Sequence, residues 1–243
     1  MIKHKPRWTV PKEWSGQTAV IVGGGHSLRK EDVEYAKQKD WRRIVCNNAY
    51  TIDPEADVLV WGDRRWYQWN RYELQKHTGP YKITWQDVDT TSGIKFHILK
   101  HADQPPTLRQ YLEDLSRNDE PREVTRIMNL VLQFSKFLLA EDPGTISATS
   151  TGQGAINVAY HFGAVRIVLL GFDMYAVKDR DGKWRHNWHG LHKRETDFGR
   201  YKSGFAPAIW AMATVLRAKG IELINCTPGS LLRGVPIMEL ETL

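Results

Sequence analysis

Residues 18–28, Thr-Ala-Val-Ile-Val-Gly-Gly-Gly-His-Ser-Leu, restrict what this chain can fold into more than any other stretch. Four apolar residues, Ala19 to Val22, run into three glycines, followed by a hydroxyl residue and a helix-permitting sequence. That order specifies a strand, a tight turn and a helix N-terminus. Glycines let a backbone approach a ligand closely, and the free N–H groups of a first helical turn face an anion, usually a phosphate. An ordinary strand-to-helix turn fits the same residues. The dinucleotide fingerprint does not, because the third glycine of Gly-x-Gly-x-x-Gly would fall on Leu28.

The same grammar repeats along the chain. Residues 29–39 read as a charged helix with Val33 and Ala36 inward. Residues 43–46 form a strand that ends in Asn47-Asn48, and residues 57–61 one that ends in Gly62-Asp63. Residues 166–170 give a buried strand that ends in Gly171-Phe172-Asp173, and residues 207–219 and 221–226 a last helix and strand. Ser150-Thr151-Gly152 caps a helix over 153–162, which Gly163 stops. Strands alternating with helices at this spacing predict an α/β, Rossmann-like fold: a mostly parallel sheet with helices on both faces. Ligands of such sheets sit at the carboxyl ends of the strands, where the polar ends gather. Residues 81–85 and 94–99 read as short strands, 107–115 as a helix and 123–140 as one longer helix with a wide apolar face. Residues 1–17 read as an N-terminal arm and 18–243 as a single catalytic domain. The polar, aromatic insertion at about 174–203 reads as a lid, because a loop this long inside a domain is usually functional or disordered.

The start lacks the apolar core of a secretory leader and no run approaches a membrane span, so a cytoplasmic protein without a membrane partner is expected. Cys46 and Cys226 end strands and read as buried thiols. The net charge of +6 favours an acidic partner. Tryptophans stand beside charge at Arg64-Arg65-Trp66-Tyr67-Gln68-Trp69 and at Trp184-Arg185-His186-Asn187-Trp188-His189. Such clusters suit stacking on sugars or bases, and suit rim packing equally.

Taken in order, Ile-Val-Gly-Gly-Gly-His-Ser-Leu, Cys-Asn-Asn-Ala-Tyr, Ser-Thr-Gly, Ile-Val-Leu-Leu-Gly-Phe-Asp-Met-Tyr, His192-Lys-Arg-Glu-Thr-Asp197 and Asn225-Cys-Thr-Pro-Gly-Ser-Leu-Leu resemble the bacterial lipooligosaccharide sialyltransferases, glycosyltransferases of the family 42 type. They also resemble a wider relative, the domain-of-unknown-function-115 group with the 6-hydroxymethylpterin diphosphokinases. The likeness covers residues 18–63 and 148–232. It implies that Gly23, Gly24, Gly25, Ser27 and Asn47 hold the donor nucleotide together with Thr151 and Gly152. It implies that Tyr175 holds the donor phosphate and that His192 is the general base. His26 stands where the family has proline, and Gly62-Asp63 where it has asparagine. The implied donor is therefore a nucleotide sugar of the CMP or UDP type, with the sugar left open.

Histidine suits the abstraction of an acceptor proton because it titrates near working pH. The three histidines His186, His189 and His192 invite a metal reading, but the glycine and tryptophans between them argue against one helical face, and no metal centre is assigned. Asp63 and Asp173 each end a strand, where either could hold Mg²⁺ at a diphosphate. For Asp173 the alternative is a carboxylate that ties down the following loop. The expected activity is nucleotide-sugar-dependent glycosyl transfer that requires no cofactor. Its expected acceptor is a hydroxymethylated base of phage-type DNA or a glycan, met by Arg64, Arg65, Trp66, Trp184, Trp188 and His189. A Mg²⁺-dependent pyrophosphokinase and a non-catalytic nucleic-acid-binding module are the alternatives. Oligomeric state is not legible.

Overall fold

The computed structural model describes residues 8–88, 93–103, 105–189 and 199–243. The first half runs β1 (Thr18–Val22), α1 (Lys30–Gln38), β2 (Arg42–Cys46), β3 (Val58–Trp61), α2 (Arg64–Asn70), β4 (Tyr81–Thr84), β5 (His97–Ile98) and β6 (Lys100–His101). The second runs α3 (Pro106–Arg117), α4 (Pro121–Leu132), α5 (Ser135–Leu138), β7 (Thr145–Ile146), α6 (Thr151–Phe162), β8 (Arg166–Leu170), β9 (Val177–Lys178), β10 (Trp184–Arg185), α7 (Ala206–Ala218) and β11 (Glu222–Asn225). β6 pairs with β7, and β9 with β10, in two small sheets.

The central sheet has seven strands in the order β11-β8-β1-β2-β3-β4-β5, every pair parallel. The chain walks outward from β1 to β5, then returns to lay β8 on the other side of β1. The order therefore reverses between β1 and β8, the point at which open α/β sheets offer a crevice for ligands.

Side chains along a strand alternate between faces. Ala19 and Ile21 face a core shared with α3, α4, α6 and α7, while Val20 and Val22 face a second core with α1 and α2. Both sets are fully buried, as a sheet covered on both sides requires. Ahead of β1, the Trp14 N–H donates to the Phe162 carbonyl at 2.7 Å, and their rings stack with centroids 4.0 Å apart. Among the described residues, no helix is long and apolar enough to cross a membrane.

Two expectations change. The helix expected over 123–140 is broken: the Gln133 and Phe134 N–H groups donate to the Leu130 and Val131 carbonyls, closing a tighter turn between α4 and α5. Leu138, Leu139 and Ala140 are all buried, and the backbone turns extended at Leu139 (φ −130°, ψ 102°), which ends α5 at Leu138. The strand expected over 94–99 shrinks to the two residues of β5.

A buried amide fixes the segment that leads into the site. Asn157, fully buried in α6, accepts through Oδ1 from the Ala140 N–H (3.0 Å) and the Ser147 N–H (2.9 Å), and donates to the Ala140 carbonyl (3.1 Å). Asn157→Leu would keep the branched outline of the side chain but strand these backbone groups away from water. It should lower the unfolding free energy by about 3 kcal/mol in urea titration at unchanged m-value. A loss below about 1 kcal/mol would mean that the amide does not hold the segment.

Candidate functional site

Two turns meet at the sheet reversal. The Gly23 N–H donates to the Leu170 carbonyl at 2.7 Å and the Gly25 N–H to the Gly171 carbonyl at 2.9 Å. None of Gly23, Gly24 and Gly25 has positive φ, so backbone conformation is not what demands glycine here. Space is. A Cβ at Gly23 would lie 2.7 Å from the Gly171 oxygen. One at Gly25 would lie 2.5 Å from that oxygen and would overlap Asp173 Oδ2. Only Gly24 faces outward, where a Cβ would meet Asn187 Oδ1 at 3.3 Å.

Asp173 is 2% exposed. Its Oδ1 accepts from the Ser27 N–H at 3.2 Å and lies 3.2 Å from His26 Nδ1. Burial pushes its pKa up, against the lowering effect of Ser27 and His26. The carboxylate thus ties the loop after β8 to the glycine turn, the structural alternative read from the sequence. His26 meets Tyr175 edge to face, centroids 4.8 Å apart. Burial, with Asp173 nearby, pushes the Tyr201 hydroxyl to about 12, so it stays protonated.

A cavity of about 830 Å³ opens from this junction along the carboxyl edge. Gly23, Gly24, Gly25, Asn47, Asp63, Thr151, Gly152, Asp173 and Tyr175 all line it, brought together from five loops. Ser27 does not line it and serves through its backbone N–H. Asn47 takes the left-handed φ of 50° that asparagine tolerates, and its Nδ2 donates to Thr151 Oγ1 at 3.4 Å. Ser150 caps α6 by accepting from the Gln153 N–H, and Gln153 Oε1 accepts from the Thr149 N–H at 2.7 Å. The first N–H groups of α6 thus face the cavity with the positive end of the helix. Gly152 is glycine because Phe172 fills the space of its Cβ, 2.6 Å from Cε1.

The acceptor set separates. Arg64 and Arg65 line the cavity, joined by Trp69, four residues beyond Arg65 on the same face of α2. Trp66 does not: it lies around the helix, 2% exposed, with its indole N–H donating to Asn48 Oδ1 at 2.6 Å. It is a core residue of the Trp61 cluster, which corrects its reading as an acceptor contact. Trp184 is half exposed on β10 and lies outside the cavity lining, as do Trp188 and His189. The Trp188 backbone N–H instead donates to the Gly24 carbonyl at 3.1 Å, and His189 Nε2 sits 3.4 Å from Asn48 Nδ2, so residues 187–189 fold over the glycine turn. His192 lies outside the described residues. Asp63 Oδ1 caps α2 by accepting from the Arg65 N–H at 2.7 Å. Among the described residues no three His, Cys, Asp or Glu side chains converge as a metal site.

The cavity also takes in His186 and Asn187 from the aromatic string, and residues that sequence reading passed over: Trp85, Gln86, His101, Arg200 and Tyr201. Trp85 had a signal in two glycines without a local reason. A Cβ at Gly62 would lie 2.9 Å from Trp85 Cε2 and one at Gly154 2.7 Å from its Cζ3. Gly62 and Gly154 leave room for the Trp85 indole. Arg200 and Tyr201 enter at the π-helical turn Tyr201–Phe205 ahead of α7, a distortion common at functional sites and silent in sequence.

Among solved structures the chain is similar to the sialyltransferase CstII from Campylobacter jejuni in complex with the substrate analogue cytidine-5′-monophosphate. The identity is 13%, the TM-score 0.51, and the match covers 93% of this chain and 86% of that one. A second structure of CstII, with CMP-3FNeuAc, matches at 14% identity and a TM-score of 0.47, over 91% and 86%. No protein-family model and no curated protein matches the chain. The likeness is one of fold, a sialyltransferase-like α/β architecture, and carries nothing specific to the wider domain-of-unknown-function-115 group.

The glycine turn yields a direct test of packing. Gly25→Ala should destabilise by about 3 kcal/mol or more, because Asp173 and the Gly171 carbonyl cannot both move aside. Gly24→Ala should stay within about 1 kcal/mol of the parent. Equal melting points for the two variants would contradict the crowding at Gly25.

Proposed function

We propose that the chain is a glycosyltransferase that moves a sugar from a nucleotide-sugar donor to an acceptor hydroxyl. The observation that carries this reading is the convergence of the Gly23–Gly25 turn, Asn47 and the N-terminus of α6 on one cavity at the sheet reversal. Its dimensions suit a nucleotide with a sugar. The fold likeness to a sialyltransferase crystallised with CMP supports it further. The unit doing the work is residues 18–243, with the insertion at 174–203 as the lid over the donor.

In this reading the donor phosphate lies between Gly24 and the first N–H groups of α6, which offer hydrogen bonds and a positive dipole to the leaving charge. Tyr175 and Tyr201, which both line the cavity, are hydroxyl donors for the same oxygens. His192 takes the proton of the acceptor hydroxyl as that oxygen attacks the anomeric carbon. The carbon–oxygen bond to phosphate breaks, and the departing nucleotide keeps the electron pair. The donor is of the CMP or UDP type, and the step draws on no cofactor. A pyrophosphokinase has less support, since each of its two carboxylates already holds backbone through one oxygen: Asp63 Oδ1 caps α2 and Asp173 Oδ1 accepts from the Ser27 N–H.

For the acceptor we favour a hydroxymethylated base in DNA. Arg64, Arg65 and Trp69 present two cations and an indole on one side of the cavity, so guanidinium groups would meet phosphates while the indole stacks on a flipped base. A glycan would use the same indole without the phosphates.

His192→Ala should cut transfer by about 10²–10⁴-fold in a radiolabelled-sugar assay while nucleotide affinity stays within about twofold. Activity within threefold of the parent would remove the histidine from the chemistry. Retention on hydroxymethylated duplex DNA should fall about tenfold or more between about 50 and about 200 mM salt. A salt-insensitive acceptor, with transfer intact, would point to a glycan instead.

A further inference from the structure

The glycine turn carries an electrostatic problem that the reading above leaves open. Asp173 lines the cavity beside Gly25, one residue from the Gly24 backbone where that reading puts the donor phosphate, and the carboxylate is 2% exposed. A buried carboxylate beside an anion is doubly unfavourable, because it has lost its hydration and repels the ligand. Its Oδ2 has no hydrogen-bond partner among the described residues. No lysine or arginine pairs with it there. Among the described residues the potential cation beside it is His26, with Nδ1 3.2 Å from Oδ1.

We propose that His26 and Asp173 act as a proton-holding pair at the donor phosphate, so that one proton is bound by the pair whenever a nucleotide occupies the glycine turn. The inference rests on the glycosyltransferase reading and adds to it a residue that acts through another: His26 is a positioning and charge-compensating residue. With the proton on His26, an imidazolium offsets the carboxylate and the turn presents net-neutral surroundings plus its N–H groups to the phosphate. Without it, Asp173 stands as an uncompensated anion against the ligand. Among the described residues, the groups facing the pair supply no substitute. Ser27 contributes a backbone N–H and an uncharged hydroxyl, Tyr175 meets the imidazole with its ring, and Tyr201 stays a neutral phenol. Arg200 lines the same cavity, but no ion pair joins it to Asp173.

The linkage has a definite sign. A ligand that binds the protonated pair better takes up a proton, and its affinity falls as pH rises, by up to about tenfold per pH unit for one proton. CMP and UDP are suitable probes, since their own last phosphate ionisation, near about pH 6, is complete over the range tested. Isothermal titration calorimetry of the full chain at pH 7.5 to 9, in buffers of different ionisation enthalpy, should show an uptake that approaches one proton per nucleotide. It should also show affinity declining with pH. Asp173→Asn keeps the acceptor for the Ser27 N–H and removes the charge, so its binding should be independent of pH and take up no proton. His26→Gln should bind more weakly than the parent at pH 7.5, also without uptake. If Asp173→Asn does not fold, the His26→Gln result alone decides. Nucleotide binding with no proton uptake and a flat affinity in the parent would overturn this inference and leave the glycosyltransferase reading standing. An uptake unchanged in His26→Gln would overturn it too. No binding of either nucleotide at any pH would overturn both.

Discussion

The site depends on one close approach. The backbone after β1 and the backbone after β8 lie side by side, joined by Gly23 to Leu170 and Gly25 to Gly171 hydrogen bonds. Any side chain at Gly23 or Gly25 would part them. This contact sets the crevice where the strand order reverses, and it brings Asp173 and Tyr175 to the glycine turn. Around it, Asn47 ties the end of β2 to Thr151 at the head of α6, and Trp188 ties the insertion to Gly24. A parallel sheet has strand ends in abundance. Packing of this kind makes one of them a site.

That view changes what the glycines mean. From sequence, a glycine triplet after a strand reads as room for a phosphate. In the structure, Gly23 and Gly25 make room for protein, Gly152 for Phe172, and Gly62 and Gly154 for Trp85. Gly24 alone keeps its open side toward the cavity and Asn187. The two meanings are compatible: the outer glycines pack the turn against the loop after β8 and leave its middle one facing the cavity. Rigid placement of backbone N–H groups is what makes such a turn useful to an anion, since donors fixed in advance need no reorganisation on binding.

Much of the architecture was legible because the strands are short, apolar and bounded by polar ends, and because Ser150 and Gly163 mark α6 at both ends. The parallel sheet, its two covered faces and the carboxyl-edge site follow from those signals. What failed did so for identifiable reasons. The apolar run at 134–140 mimics a helix face, yet its residues are buried from several directions. Trp66 and Trp69 stand three apart in one aromatic string, and only the rotation of α2 sends the first to the core and the second to the cavity. Trp85, Arg200 and Tyr201 arrive through tertiary packing that no local pattern announces. The fold likeness to CstII agrees with the architecture, at an identity that speaks to fold and not to substrate.

The central claim is that a nucleotide occupies the cavity between the glycine turn and the head of α6. Its most direct test is a backbone amide map of isotopically labelled protein titrated with CMP and, separately, UDP. The account predicts saturable shifts at Gly24, Gly25, Asn47, Thr151 and Gly152 with one of the two nucleotides, while distant amides such as those of α4 stay still. Shifts confined to another surface, or none at these five residues at saturating nucleotide, would contradict it.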